Sequence, residues 1–487
     1  MRLTSSGLCM LYVCFCGLAA AQFGAPGPPQ SPGQSNPPLP PPSTSLSAGS
    51  AQNPFLGGVP SGKATSEVLP LSLDESIDRG LKHNLGLLLG EQGTRSAQAA
   101  SWRALSSLLP SLNTRTSETS QQINLKAFGF QSFPGIRPIV GPFSVFDTRL
   151  YASQSILNFS ALNNARAGSE NLKAARYSFQ DARDVVVLVV TNLYLQAVAG
   201  SARIEAARAQ LNTAQALYDR AVDRKKAGVI PAIEVLRAQV ELQAQQQRLI
   251  FFQNEFEKQK LNLARAIGLP VGQQFRLADQ IPYAPPPAIA FEDALQQAYR
   301  SRADYQSALA QVSAAEAAKK AARAQRLPSL SFDGNYGDTG PGVGDSHGAY
   351  AAAISLNIPI FQAGRVRADV LQADVLLQQR KSELENLRVG IDYELRTAFL
   401  DLRAAGDQVQ VAKSAVDLAS QQMTQAQDRF SAGVASNIEV VQAQEALASA
   451  NENYISSLYA YNAAKAFLAR TLGVAEKTAR QFLTGAQ

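Results

Sequence analysis

With 487 residues, the chain is too long for one ordinary compact domain, and its 45 Lys and Arg against 39 Asp and Glu give a formal net charge of +6. The basic residues are spread along predicted helices and are not clustered, so the charge does not indicate a nucleic-acid-binding protein. The two His and three Cys form no nucleophile–base pattern and no metal-ligand cluster, so the sequence predicts neither an enzyme nor a cofactor.

The first 21 residues have the parts of a secretory signal peptide. Arg2 gives a positive start, Leu8 to Leu18 form an apolar core too short for a membrane anchor, and small residues at 19–21 precede Gln22. All three cysteines lie in this leader, and their neighbours argue against a lipid anchor. We therefore expect an exported mature chain without cysteine.

Residues 22–66 are rich in Pro, Gly, Ser and Gln and have no hydrophobic periodicity. Such a composition does not bury enough apolar surface to offset the entropy of ordering the chain. We expect this segment to be disordered or polyproline-like. It would serve either as a plain spacer or as a docking tail for cell-wall or partner proteins.

An internal repeat organises the remaining sequence. The motif Leu-Pro-Ser-Leu at 109–112 recurs at 327–330, and Ala-Gly-Val at 227–229 recurs at 432–434. The second motif recurs at a slightly shorter distance than the first, so the first half contains a longer loop between the two motifs. The predicted units are a first repeat at 67–270, a linker at 271–290, a second repeat at 291–475 and a tail at 476–487.

Each repeat is predicted to run helix, strand, loop, strand, very long helix, tight turn and long helix. Apolar residues step by three and four along 204–221 and 409–430, with Ala at alternate seam positions, a pattern typical of closely packed coiled coils. A helix from about Ser160 to Ala227 would be roughly 100 Å long at 1.5 Å per residue. Gly228 and Gly433 permit the left-handed backbone that ends a helix, so we expect two hairpins with tight tips.

Alternating apolar and polar residues predict two strands in each repeat, near 112–120 and 143–157 in the first and near 329–336 and 353–360 in the second. Strands of this kind suit a transmembrane barrel, and a strand pair packed on a soluble core is the alternative. After the leader, no segment reaches 18 uninterrupted apolar residues. This absence argues against a membrane-spanning helix.

This order of elements, the repeated Leu-Pro-Ser-Leu strand entry, the run Ile-Pro-Ile-Phe-Gln-Ala-Gly-Arg at 358–365 and the paired Ala-Gly-Val tips resemble the TolC family of outer-membrane factors. The resemblance covers about Leu69 to Val474. It implies a mainly α fold with transmembrane β: long coiled-coil helical hairpins plus four strands per chain. Three chains would form a homotrimeric, twelve-stranded barrel in outer-membrane lipid, with a periplasmic α-helical tunnel below it.

The function implied by the resemblance is an outer-membrane export duct of a tripartite efflux or type I secretion system. Its partners would be a periplasmic adaptor (membrane fusion) protein and an inner-membrane efflux pump or ABC exporter. A periplasmic coiled-coil adaptor or structural protein is the alternative, although such a protein would lack the duplicated strand pairs.

The resemblance further implies a closable pore gate near the hairpin tips, at Glu234, Glu439 and Gln442. In a trimer the two glutamates would supply six carboxylates around one lumen, a negative ring that favours cations. Gln442 stands where the family pattern has a second acidic residue, and Ala435 stands where it has a basic locking residue. The gate is therefore expected to be held by other contacts, or less tightly.

Two alternatives remain open at the tips. Glu439 would close a capping box if Ser436 caps its helix, whereas Pro231 in the equivalent position prevents such a box for Glu234. The basic residues would either meet the adaptor or simply favour the dipole at a helix end. The predicted adaptor-contact residues are Arg224, Lys225, Gly228, Val229, Arg429, Gly433 and Val434.

Overall fold

The computed structural model describes residues 53–129, 137–279, 283–284 and 289–476. The predicted signal peptide, residues 22–52 of the Pro-rich segment and all of the predicted tail except Glu476 lie outside these residues. Within the described part, each repeat contains two consecutive helices, two long strands, a very long helix and a returning helix.

The first repeat consists of β1 (Leu69–Leu71), α1 (Leu73–His83), α2 (Leu85–Ser106), β2 (Ser111–Asn124), β3 (Ile139–Leu157), α3 (Phe159–Lys226) and α4 (Ala232–Ala266). The short strand β4 (Phe275–Leu277) follows it. The second repeat consists of α5 (Phe291–Ser301), α6 (Ala303–Ala324), β5 (Ser329–Gly340), β6 (His347–Asn357), α7 (Arg365–Ser431) and α8 (Asn437–Thr471).

Equivalent elements keep the spacing of the sequence motifs. Helices α5 and α6 follow α1 and α2 at the same distance that separates the two Leu-Pro-Ser-Leu motifs, and α8 follows α4 at the distance that separates the two tips. The connection between the two strands is longer in the first repeat, at 125–138, than in the second, at 341–346. The predicted duplication is therefore present in the fold. The single helix predicted before the first strand of each repeat is instead two helices, which meet at Asn84 and Arg302.

The four long strands form one antiparallel sheet in the order β2-β3-β5-β6. Its register places Leu330 opposite Leu356 and Tyr336 opposite Tyr350, so the apolar side chains share one face. Tyr350 is 82% exposed in the isolated protomer. The other face carries Arg149, which contacts Asp147 and Asn335. The sheet thus has the predicted alternation of an apolar and a polar face.

Two hydrophobic cores flank the middle of the long helices. In the first repeat, α1, α3, α4, β1 and β4 bury a cluster that includes Val186, Val190 and Tyr194. In the second repeat, α5, α7 and α8 bury a cluster that includes Leu395 and Tyr461. Of the described helices, only α3 has an 18-residue window apolar enough to cross a membrane, and more than half of that window is buried. Core packing accounts for its apolar character.

Residues 53–66 are packed on the first repeat, which corrects the prediction of disorder for this part of the Pro-rich segment. The Val59 amide donates to the His83 carbonyl over 2.8 Å, and the Asn84 side-chain amide donates to the Phe55 carbonyl over 2.7 Å. The ordering comes from backbone hydrogen bonds to distant helix ends, which the composition of the segment does not reveal.

Candidate gate and docking site at the hairpin tips

The two hairpin tips have the same backbone. Gly228 has φ 71° and Gly433 has φ 77°, and a Cβ added at either glycine would meet nothing within 4 Å. The Val229 amide donates to the Arg224 carbonyl over 2.9 Å, and the Val434 amide donates to the Arg429 carbonyl over 3.0 Å. These bonds satisfy carbonyls at the helix end in the manner of a glycine C-cap. The predicted tight tips are confirmed. Glycine is favoured at both positions because the backbone has a positive φ, and not because a larger side chain would clash.

Three of the residues predicted to contact an adaptor are exposed at the tips. Val229 and Val434 are each 68% exposed, and Lys225 is also exposed. Exposed valines at the end of a long hairpin form a small apolar cap beside basic residues. Their role in docking stays a prediction.

Glu234 lies in the first turn of α4, where the helix dipole favours a negative charge. Arg237 Nη1 donates to its Oε1 over 2.6 Å, and the glutamate side chain is only 18% exposed. Its Oε2 atom is buried and has no hydrogen-bond partner among the described residues. Buried carboxylate oxygens usually have a hydrogen-bond partner, so Glu234 differs in this respect from most buried polar groups.

Glu439 occupies the equivalent position in α8 and has a different partner. Arg429 Nε donates to Glu439 Oε1 over 2.9 Å, and this glutamate side chain is 42% exposed. Ser436 is the N-cap residue of α8, but its side chain makes no capping hydrogen bond. The capping-box interpretation of Glu439 is therefore wrong, because its carboxylate engages the arginine of the preceding helix.

Arg224 is turned toward the second hairpin. Its Nη1 donates to the Phe430 carbonyl over 3.2 Å and its Nη2 to the Ser431 carbonyl over 3.3 Å. The sequence prediction placed Arg224 on the adaptor surface and missed this contact. The repeated Asp-Arg pair at 223–224 and 428–429 marks the two arginines as equivalent positions, but it does not indicate this contact.

An open groove runs between the first turns of the two returning helices. Gln442, predicted at the gate, lines this groove, and so do residues of α4 with exposed apolar side chains. The groove is lined in part by Ile233, Leu236, Val240, Ile438, Val441 and Gln442. The groove places α4 and α8 side by side near the tips, with Glu234 and Glu439 each in the first turn of its helix.

Within the described ranges, no group of three or more His, Cys, Asp or Glu side chains is arranged to hold a metal ion. Glu234 and Glu439 are instead paired with arginines, and Arg224 binds the end of a helix. This arrangement therefore provides several charged groups, held by ion pairs and helix-end contacts, at the tips of the two hairpins.

The sequence is similar to two outer-membrane proteins of Pseudomonas. It is 26% identical over 425 residues to the pyoverdine export outer membrane protein OpmQ of Pseudomonas aeruginosa, covering 84% of this chain and 87% of that protein. It is 24% identical over 417 residues to the probable efflux pump outer membrane protein TtgC of Pseudomonas putida, covering 82% of this chain and 83% of that protein.

The fold is similar to that of the CmeC outer membrane channel of Campylobacter jejuni, with a TM-score of 0.72 and 18% identity over 89% of this chain and 93% of that chain. These likenesses are to outer-membrane proteins and channels, and not to the periplasmic adaptor or structural protein considered as the alternative. The family described as outer membrane efflux protein matches residues 77–269 and 294–474, which is most of the sequence. The chain therefore belongs to the outer membrane efflux protein family.

Proposed function

We propose that this outer-membrane efflux protein works as a homotrimeric duct, which receives its substrate from a periplasmic adaptor and an inner-membrane pump. The observation that carries the proposal is the open four-stranded sheet. Strands β2 and β6 lie at its two edges, and one of its faces is apolar. Unpaired backbone groups at a sheet edge cost several kcal/mol each in lipid, so a membrane-embedded sheet of this kind must be closed by further strands.

Closure by identical copies is the simplest solution, because each chain presents two complementary edges. With β6 of one protomer beside β2 of the next, three copies would give a closed barrel whose apolar face meets lipid and whose polar face, with Arg149, lines the lumen. The long helices would then continue below the barrel as the wall of a periplasmic tunnel.

The proposed assembly is tested by measuring the mass of the purified protein in detergent. Three copies per particle are expected, with a helix-dominated circular dichroism spectrum. A stable monomer in detergent that still inserts into bilayers would contradict the proposal.

The gate proposal concerns Glu234, Glu439 and Gln442 at the tips. Glu234 supports it most directly, because its Oε2 is buried without a partner in one protomer and threefold symmetry would bring equivalent residues together. Carboxylates crowded around a narrow pore attract cations, although Arg237 and Arg429 reduce the net charge here.

Single-channel recordings test the gate. Glu234→Gln should lower cation preference and weaken block by multivalent cations, and the double variant with Glu439→Gln should do so further. Glu385→Gln, which removes a well-exposed carboxylate in the first third of α7, far from the tip, is the control and should change neither property. Unchanged selectivity in the double variant would place the gate elsewhere.

Efflux of small molecules is favoured over protein secretion by one finding: the relatives named above are a pyoverdine export protein and a probable efflux pump protein. Expression in a strain that lacks its own efflux channel would test this choice. Reduced accumulation of a fluorescent dye is expected, and secretion of a type I reporter protein without any effect on the dye would contradict it.

A further inference from the structure

One arginine joins the ends of the two hairpins. Arg224 lies in the last turn of α3, and its guanidinium spans two successive carbonyls at the end of α7, those of Phe430 and Ser431. The last four carbonyls of a helix have no partner within the helix and carry the negative end of its dipole. A planar guanidinium with two parallel N–H donors suits this pair of acceptors better than the point charge of a lysine.

The contact also has an apolar part. The guanidinium carbon of Arg224 lies 4.6 Å from the centre of the Phe430 ring, and Phe430 is only 8% exposed. The ring belongs to a buried cluster contributed by α3, α7 and α8, which includes Leu217, Met423 and Val440. The arginine therefore closes the tip end of a cluster that both hairpins share.

The duplicated sequence provides an internal comparison. Arg429 is the equivalent of Arg224 in the second repeat, but it binds Glu439 of its own hairpin. The residue equivalent to Phe430 is Lys225, which offers no aromatic ring. The same Asp-Arg pair thus connects two hairpins in one repeat and stays within one hairpin in the other.

We infer that Arg224 is a positioning residue that latches the tips of the two hairpins of one protomer together. Higher along the helices, Arg203 binds Glu452 over 2.8 Å and also connects α3 with α8. Loss of Arg224 should consequently free the tips without separating the hairpins along their whole length.

Within the proposed duct, this latch would hold the tips although Ala435 stands where the resemblance places a basic locking residue.

The latch is tested in the full-length protein by pulsed electron paramagnetic resonance. The predicted mature chain has no cysteine, so Val229→Cys and Val434→Cys, both at exposed tip positions, place two spin labels on one protomer. Labelled protein is mixed with an excess of unlabelled protein so that most assemblies hold one labelled copy. Arg224→Ala should broaden the distance distribution between the labels by about twofold, because two charge-assisted hydrogen bonds are lost.

Two further variants separate a latch from a simple charge effect. Arg224→Lys keeps the positive charge at the end of α3 but loses the fork, so it should also broaden the distribution, and it carries the test if Arg224→Ala does not fold. Arg429→Ala, at the equivalent position, should leave the distribution unchanged. The latch is refuted if Arg224→Lys restores the narrow distribution or if Arg429→Ala broadens it equally.

Planar-bilayer recordings of the same proteins keep the two proposals apart. If Arg224→Ala broadens the distance distribution between the labels but the protein without this substitution forms no channel, the latch is supported and the proposed duct is refuted. An unchanged distribution in a protein that forms channels would refute the latch and leave the duct standing.

Discussion

In each repeat, one residue separates the two short helices that precede the first long strand. The backbone conformation of this residue is the same in both repeats, but its side chain and the groups that it binds are different. Asn84 has φ −65° and ψ 132°, and Arg302, its equivalent in the second repeat, has φ −66° and ψ 120°. Both side chains are buried. The same extended residue therefore ends one helix and begins the next in each repeat, although the two side chains have nothing in common beyond polarity.

Asn84 satisfies neutral backbone groups. Its side-chain amide donates to the carbonyls of Phe55 and Ala266, over 2.7 and 3.2 Å, and its Oδ1 accepts from the Gly86 amide over 2.9 Å. These bonds join the packed N-terminal segment and the end of α4 to the helix break. The first repeat thus uses an uncharged side chain with all of these polar atoms paired.

Arg302 uses charge instead. Its guanidinium binds Asp304 and Glu394, each over 2.7 Å. Burial acts to raise the pKa of Asp304, but hydrogen bonding and the charge of Arg302 outweigh it and hold this pKa below its ordinary value. The comparison teaches that duplication preserved the backbone of the break, while each copy satisfied its buried polar groups separately.

The largest loss of stability is expected when Arg302, the charged residue at the helix break of the second repeat, is replaced. Arg302→Ala would remove the main cationic partner of the half-buried Asp304, which should destabilise the second repeat by about 3–5 kcal/mol. Asn84→Ala leaves only neutral groups unpaired and should cost about 1–3 kcal/mol. Thermal unfolding followed by the helical circular dichroism signal measures both. Equal losses would show that the charge at this break is unimportant.

The stability losses of Arg302→Ala and Asn84→Ala should also depend differently on pH. Because the folded-state pKa of Asp304 is lowered, its contribution to stability is present above the unfolded pKa, near 3.8, and is lost as pH falls through the folded value. The deficit of Arg302→Ala should therefore shrink in strongly acidic buffer. The deficit of Asn84→Ala should stay constant there.

Replacing Lys465 is expected to increase stability, by less than the loss of Arg302 decreases it. Its side chain is fully buried, its Nζ donates to the Ala284 carbonyl over 3.2 Å, and burial lowers its pKa to about 8. Lys465→Met should stabilise the protein at neutral pH by roughly 1–3 kcal/mol. Lys260 is the equivalent residue of the first repeat, is bonded to Glu257 over 3.3 Å, and serves as the matched control. Lys260→Met should change little.

The sign of the pH effect at Lys465 follows from its lowered pKa. Between about pH 8 and the unfolded value of 10.5, the unfolded chain binds the proton that the folded chain has released. Stability should therefore rise with pH across this window in the unmutated protein, and this rise should be reduced in Lys465→Met. A rise that persists unchanged would assign it to another group.

The smallest effects concern the two buried tyrosines. The Tyr194 hydroxyl lies 3.0 Å from Asp279 Oδ2 and 3.1 Å from the Leu71 carbonyl, whereas the Tyr461 hydroxyl donates to a neutral acceptor, the Ala284 carbonyl, over 2.9 Å. Tyr194→Phe should cost about 1–2 kcal/mol and Tyr461→Phe about 0.5–1.5 kcal/mol, measured by thermal unfolding. The reverse order would mean that the Asp279 carboxylate is satisfied in another way.

The long-period features of the fold were predictable from the sequence. Seven-residue spacing gave α3 to within a residue at each end, tip glycines gave the hairpins, and alternation gave the four long strands. Each signal is local and is present twice, so the two copies support each other. The trimer and the docking role of the tips stay predictions.

Other features depend on contacts between residues that are distant in the sequence. The paired strands β1 and β4 have only three residues each, so neither has a readable period, and one lies before α1 while the other follows the first repeat. Neither Asn84 nor Arg302 is a Gly or Pro that would announce a helix break. The partners of Arg224 lie in the other repeat, and no residue near it in the sequence indicates which carbonyls it binds.

The length of α3 has a mechanical consequence. From Val190 in the first core to Lys226 at the tip is roughly 55 Å along the helix at 1.5 Å per residue. A rod of that length turns a rotation of about 5° at its base into a displacement of roughly 5 Å at its end, close to one helical pitch. A small rotation of a long helix within the buried core therefore produces a much larger displacement at the hairpin tip. A shift in core packing too small to disturb any strand would still change which side chains meet at the tips.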